Sequence, residues 1–520
     1  VNYIHQREMD GILKELVSAL HQYAQDGRLV HYTVGALGAA AAAAVLPGIV
    51  KRLTGPRLPP KVTMFCDLPI PGSSIVDTIA LFAFALTNIE WEAPWELWIK
   101  CSDKHGRVFR SPFFGETAYN VVGREGVKMG LTCKSEDGEL VMTAVDNPNI
   151  NALWGRRSLS ATPLGPERTR IKKVFLPALN NASLEGYFPI IQEDVRWWVE
   201  KHIATLPEGA VLKTFEPVQE LLMVVPIRVV LGMGLGATSL VDKTRDLVVP
   251  LWDGTFAPPF KWLGGSFAKG LKCREELIPI IQDMITDRKK KLDKGEEIGN
   301  DMLSQMVRTI GQSEGLSAEE IIDQVIVIFL ASYETTVSLV TAAFHYMAMP
   351  KYAHVIEKLR EEQERYPKGC QSYADVQACT YTTNFINEIL RLKPPVPGFL
   401  RKVTKSFKVD GYTIPKGALY QYHTSASQRN TVPDPEELIP ERHDDRSSPL
   451  RQTFGFTPFG GGEFMCVGKN FTILETALLL HEVVRGYDLE HAGEKPATIT
   501  YAPFMRPSEG QPLRFRKRAK

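Results

Sequence analysis

Apolar and polar positions alternate along this chain in three ways, and each predicts a different kind of element. The longest regular pattern covers residues 317–349, SAEEIIDQVIVIFLASYETTVSLVTAAFHYMAM, before Pro350. Ser317 and Glu320 have the spacing of a capping box, and proline cannot continue a helix. These 33 positions predict a helix ~50 Å long at ~1.5 Å per residue. Its middle is apolar on every side, so it must run buried through the centre of a domain. Ala331-Ser-Tyr-Glu-Thr-Thr336 nevertheless places an acid and hydroxyls there, which costs free energy unless those groups are used.

Shorter alternations predict strands at residues 106–110 (GRVFR) and 117–122 (TAYNVV), and a hairpin at 407–417 with turns at Asp410-Gly411 and Pro415-Lys-Gly417. Helical spacing returns in residues 165–180 (GPERTRIKKVFLPALN), around residues 387–391, and from near Phe471 onward. Residues 181–316 read as helix-rich without a sharp motif, and Lys289-Lys-Lys291, Lys294 and Glu296-Glu297 read as a solvated charged connector. The fold class is therefore mostly α with a small β region.

The third pattern is an uncharged run at residues 34–50, VGALGAAAAAAVLPGIV. Its 17 residues are at the short end for crossing a ~30 Å hydrocarbon core. A packed soluble helix is the competing reading, because alanine is weakly apolar. Lys51, Arg52 and Arg57 follow it, which would leave the rest of the chain cytosolic. This divides the chain into an N-terminal extension and membrane anchor (1–54), a proline-rich hinge (55–60, GPRLPP) and a catalytic domain (61–520). Residues 75–89 are apolar but interrupted by Asp77 and Asn88, and read as domain surface or a membrane-contacting helix.

Charge adds an exclusion. With 61 Lys+Arg against 60 Asp+Glu, nothing points to nucleic acid as a partner. Seven cysteines at 66, 101, 133, 273, 370, 379 and 466 include no C-x-x-C pair; an odd, scattered set argues against a disulfide framework and fits a reducing compartment.

The candidate chemistry centres on residues 454–470, FGFTPFGGGEFMCVGKN. Gly460, Gly461 and Gly462 permit a tight turn and close approach to a flat ligand. Cys466 then stands at the start of a helix, whose dipole favours thiolate. Phe459, Gly462, Cys466 and Gly468 complete F-x-x-G-x-x-x-C-x-G, which resembles the haem-binding pattern of the cytochrome P450 family. The resemblance extends over roughly residues 60 to 515 and implies that fold, with a long central helix over the haem.

By the same resemblance, Cys466 is the axial ligand of a haem b iron, and Ala331, Glu334 and Thr335 match the distal-side pattern, with Ser332 in place of its usual glycine. It assigns Thr335 and Glu334 to proton delivery. Glu388 and Arg391 match an E-x-x-R pair that Arg442 completes as a structural clamp. Arg401 and Lys172 are the implied partners of the haem propionates, while Arg168 replaces the usual tryptophan beside Lys172, and Phe464 replaces the usual Arg or His before the cysteine. Loss of that cation resembles the branch containing cholesterol 7α-hydroxylase and prostacyclin synthase.

What the resemblance implies is a monooxygenase of the endoplasmic reticulum membrane. It would insert one oxygen atom from O2 into a lipophilic sterol-, terpenoid- or polyketide-like molecule, with secondary metabolism as one setting. Electrons would come from NADPH through NADPH-cytochrome P450 reductase, with cytochrome b5 as a second candidate donor and Arg451 and Lys469 as a basic docking face. A haem-thiolate isomerase or dehydratase working without O2 is the first alternative, and a non-catalytic haem sensor the second.

Overall fold

The 317–349 pattern forms one helix, Ala318–Met347, in a computed structural model that describes residues 93–113, 116–234, 238–501 and 504–518. Both halves of the capping box are made: the Ser317 hydroxyl accepts from Glu320 N, and Glu320 Oε2 accepts from Ser317 N at 2.7 Å. Helices Phe215–Leu231, Ser266–Asp293, Thr380–Leu392 and Lys469–Gly486 pack against this central helix. They bury Val225, Ile281, Phe385 and Leu479, among others, in one large helical core. Among the described residues the central helix alone is long and apolar enough to cross a bilayer, and most of its apolar window is buried by its neighbours. It is a core helix.

The small β region contains a five-stranded sheet in the spatial order Val108–Phe113, Glu116–Val121, Leu419–Tyr422, Phe399–Val403, Met142–Ala144. All its pairings are antiparallel except Glu116–Val121 with Leu419–Tyr422. The expected hairpin forms between Phe407–Val409 and Tyr412–Ile414, and turns at Asp410 and Gly411, both at positive φ. A second apolar cluster, including Val121, Leu131, Tyr420 and Tyr422, lies under the large sheet. Near the C-terminus Ile499–Tyr501 pairs with Met505–Pro507.

Two expectations change. Lys289, Lys290 and Lys291 belong to the last turns of helix Ser266–Asp293, where Lys291 pairs with Asp287 at 2.8 Å; only the residues after Lys294 form a connector. Cys101 is disulfide-bonded, a pairing that the scattered cysteine spacing did not reveal, while Cys133, Cys273, Cys370, Cys379 and Cys466 are free. The proposed anchor, the hinge and the 75–89 stretch lie outside the described residues.

Candidate active site

The cysteine loop closes on itself by one backbone bond, from Cys466 N to the Phe459 carbonyl at 2.8 Å. Gly460 stands at φ +72°, where a Cβ would meet the Phe464 carbonyl oxygen at 2.5 Å. Gly462 stands at φ +56°, so the turn requires glycine at both positions. Phe459 is partly buried against the helical core. Gly468 caps the N-terminus of helix Lys469–Gly486, and its Cβ position lies 3.9 Å from Cys466 Sγ.

Cys466 keeps accessible surface. Burial pushes its thiol up, and the backbone N–H groups of Gly468 and Lys469 offset this only in part. The expected thiolate is therefore not produced by the helix N-terminus alone: desolvation wins until a metal binds the sulfur.

The central helix has an open face of its own. Between residues 321 and 348 every position is buried except Ile328, Ala331, Ser332 and Thr335. Spacings of three, four and seven put these four on one face. The Thr335 hydroxyl donates to the Ala331 carbonyl at 2.8 Å, and Ser332 donates to Ile328 O at 2.7 Å. Back-bonding of this kind leaves each oxygen's lone pairs free to accept.

Glu334, 2% exposed, has a different environment from its neighbour Thr335. Arg506 donates to both of its oxygens, Nη1 to Oε2 at 2.6 Å and Nη2 to Oε1 at 2.9 Å, and Gln219 adds a bond of 3.4 Å. This bidentate pair fastens strand Met505–Pro507 to the central helix. Nothing in the sequence marked Arg506, which lies 172 positions away.

The Glu388 clamp is fully enclosed. Glu388 and Arg391 both have side chains at 0% exposure, with Arg391 Nε to Oε2 at 2.9 Å and Nη2 to Oε1 at 2.8 Å. Arg442 Nε lies 3.3 Å from Oε1 as an ion pair without a hydrogen bond. His443, adjacent to Arg442 and not marked by the E-x-x-R motif, adds a bond of 3.0 Å from Nε2, and Ile439 N adds one of 3.2 Å. Burial alone would raise this carboxyl, but the bonds from His443 and Arg391 outweigh it and push it down to about 2.

Around Phe464, three cations converge. The Arg401 guanidinium lies 3.8 Å from the ring centroid and that of Arg168 5.0 Å from it. Arg401, on strand Phe399–Val403, donates to Gly130 O at 2.9 Å and to Tyr422 Oη at 2.9 Å. Lys172 Nζ donates to the Glu463 carbonyl at 3.0 Å. Arg168 is buried among them, and its Nε has no partner. Burial and the nearby Arg401 both lower its affinity for its proton. Buried like charges of this kind call for an anion. The residues therefore fit haem: propionate carboxylates would answer the cations, and the accessible cysteine would answer the iron. Sequence reasoning counted Lys172 and Arg401 and took Arg168 only as a replaced tryptophan; its side chain is part of the same cluster.

The cytochrome P450 family model matches residues 77–515. Cytochrome P450 26A1 of Gallus gallus is 28% identical over 432 residues, covering 79% of this chain and 84% of that protein. Cytochrome P450 716A2 of Arabidopsis thaliana is 24% identical, covering 78% and 84%. Among solved structures, retinoic acid-bound cyanobacterial CYP120A1 superposes with a TM-score of 0.70 at 20% identity, covering 82% of this chain and 98% of that one. Fold and site together define a haem-binding oxidoreductase. The chain belongs to the cytochrome P450 family and is a monooxygenase.

Proposed function

We propose that this enzyme converts a C–H bond of a lipophilic small molecule to C–OH, using O2, two electrons and two protons and releasing water. Two observations carry the reading: Cys466 is accessible in a glycine loop, and an otherwise buried helix leaves one face, with Thr335 on it, open. Haem b, when bound, supplies the redox centre at which O2 is activated. Cys466 would hold its iron, the Phe459, Gly462 and Gly468 loop would fit under it, and Arg401, Lys172 and Arg168 would take its carboxylates.

Thr335 holds a proton at Oγ1, and rotating it off the Ala331 carbonyl presents that proton to the open face. In this reading Glu334 resupplies it. The Arg506 side chain, 35% exposed, brings solvent to that carboxylate. Ile328 and Ala331 make the rest of the face apolar, in keeping with a lipophilic substrate; terpenoid, sterol and polyketide-like compounds of secondary metabolism are the class proposed. Electrons come from NADPH through NADPH-cytochrome P450 reductase or cytochrome b5, with Arg451 and Lys469 on the docking side, at the endoplasmic reticulum membrane.

The test is a carbon monoxide difference spectrum of the reduced protein, followed by a binding screen. Retinoic acid, the ligand of the similar cyanobacterial structure, is the first compound to try. A thiolate-type band and NADPH- and O2-dependent product support the reading. Product formed without either co-substrate would favour an isomerase or dehydratase instead.

A further inference from the structure

A sulfur–nitrogen cluster lies away from the Cys466 loop. Cys370, in the segment after helix Ala353–Glu364, Cys379, at the start of helix Thr380–Leu392, and His481, on helix Lys469–Gly486, are all buried. Their ligand atoms all lie within 4.8 Å of one another. Cys370 Sγ is 3.6 Å from His481 Nδ1. Two ligands of one tetrahedral zinc, with bonds of about 2.3 Å to sulfur and 2.0–2.1 Å to nitrogen, stand roughly 3.6 Å apart.

The surroundings of the histidine are those of a metal ligand. The Thr382 hydroxyl donates to Glu362 Oε2 at 2.7 Å, so its oxygen accepts from His481 Nε2 at 3.1 Å. That fixes the proton on Nε2 and leaves the Nδ1 lone pair toward Cys370. Glu362 is held in turn by the backbone N–H groups of Tyr381 and Thr382, at 2.7 and 2.9 Å. Gln363, 2% exposed, places Nε2 3.5 Å from Cys379 Sγ while its Oε1 has no partner. Turning this amide over would bring that oxygen to the cluster as a fourth donor.

We propose that Cys370, Cys379 and His481 form a binding site for one thiophilic divalent cation of the zinc class, separate from the haem. Two thiolates, one neutral imidazole and a dication sum to zero charge, which a buried site tolerates. Binding releases the two thiol protons. The ion ties the helix that carries the Glu388 clamp to the helix that follows Cys466.

The experiment uses haem-loaded protein, so that Cys466 is occupied, stripped of other metals and kept reduced. Titration with Zn2+ against a chromophoric chelator should find one ion per chain beyond the iron. Co2+ in its place should add thiolate-to-metal absorption in the near ultraviolet, read as the difference from Zn2+-loaded protein. Cys379→Ser and His481→Gln should abolish that band, and Thr382→Val should weaken Zn2+ binding by about 10–100-fold, the usual effect of losing an outer partner of a ligating histidine. If Cys379→Ser fails to fold, the wild-type Co2+ spectrum and Thr382→Val still decide. Absence of any ion beyond the iron, retention of it by the ligand variants, or a Cys370–Cys379 disulfide that excludes metal overturns the proposal.

Discussion

Two buried charge clusters in this enzyme solve opposite problems. Around Glu388, one carboxylate meets Arg391, Arg442, His443 and a backbone N–H, and all of its partners come from the chain itself. Around Phe464, Arg168, Arg401 and Lys172 share backbone carbonyls, a tyrosine hydroxyl, an aromatic face and one exposed carboxylate, that of Glu463, 4.0 Å from Lys172, and one guanidinium nitrogen stays unpaired. The first cluster satisfies its carboxylate from within the chain and serves the fold, although Arg442 Nε, like Arg168 Nε, makes no hydrogen bond. The second sets three cations against that single exposed carboxylate, and such an excess of cation charge is what an anion-binding function looks like before its ligand arrives.

That contrast can be broken from either side. The largest effect belongs to Cys466→Ala, which should remove the thiolate–CO band and all turnover; residual thiolate absorption would disprove the assignment. Next, Arg391→Met strands a buried carboxylate and should cost about 3–5 kcal/mol in chemical unfolding. The same cluster predicts a pH dependence. The Glu388 carboxyl is depressed from 4.5 to about 2 in the folded state, so its stabilisation is complete above the unfolded value and is lost as pH falls toward 2. The loss amounts to about 3 kcal/mol, and Glu388→Gln should flatten that part of the stability profile. Arg401→Leu, on the other side of the comparison, removes bonds to Gly130 O and Tyr422 Oη. It should cost the haem-free protein about 1–3 kcal/mol in unfolding, with a further loss of about 1.5–3 kcal/mol in haem retention in a transfer assay. Equal losses with and without haem would erase the distinction. Thr335→Ala should alter the fold least, keeping the haem while sending more electrons to peroxide than to product; unchanged coupling would remove the hydroxyl from proton delivery.

Local chemistry was legible in the sequence and long-range partners were not. Ser317, Glu320 and Pro350 fixed the central helix to within a few residues because caps and stops act within one turn. The glycine loop was legible because positive φ selects its residue type. Arg506 and His481 carried no signal, since each acts on a residue about a hundred or more positions away. Phe464 was read as a lost cation. Its ring lies against two guanidiniums instead, and that depends on how a strand and a helix meet.

The Glu334–Arg506 bond also imposes an order on biosynthesis. The acid emerges from the ribosome 172 residues before its guanidinium, an interval on the order of 10–30 s at usual elongation rates. Throughout that interval the acid in the middle of the longest helix lacks the guanidinium that pairs it in the folded protein. A nascent chain therefore has to keep this helix hydrated, or held by a chaperone, until its final strands have been made.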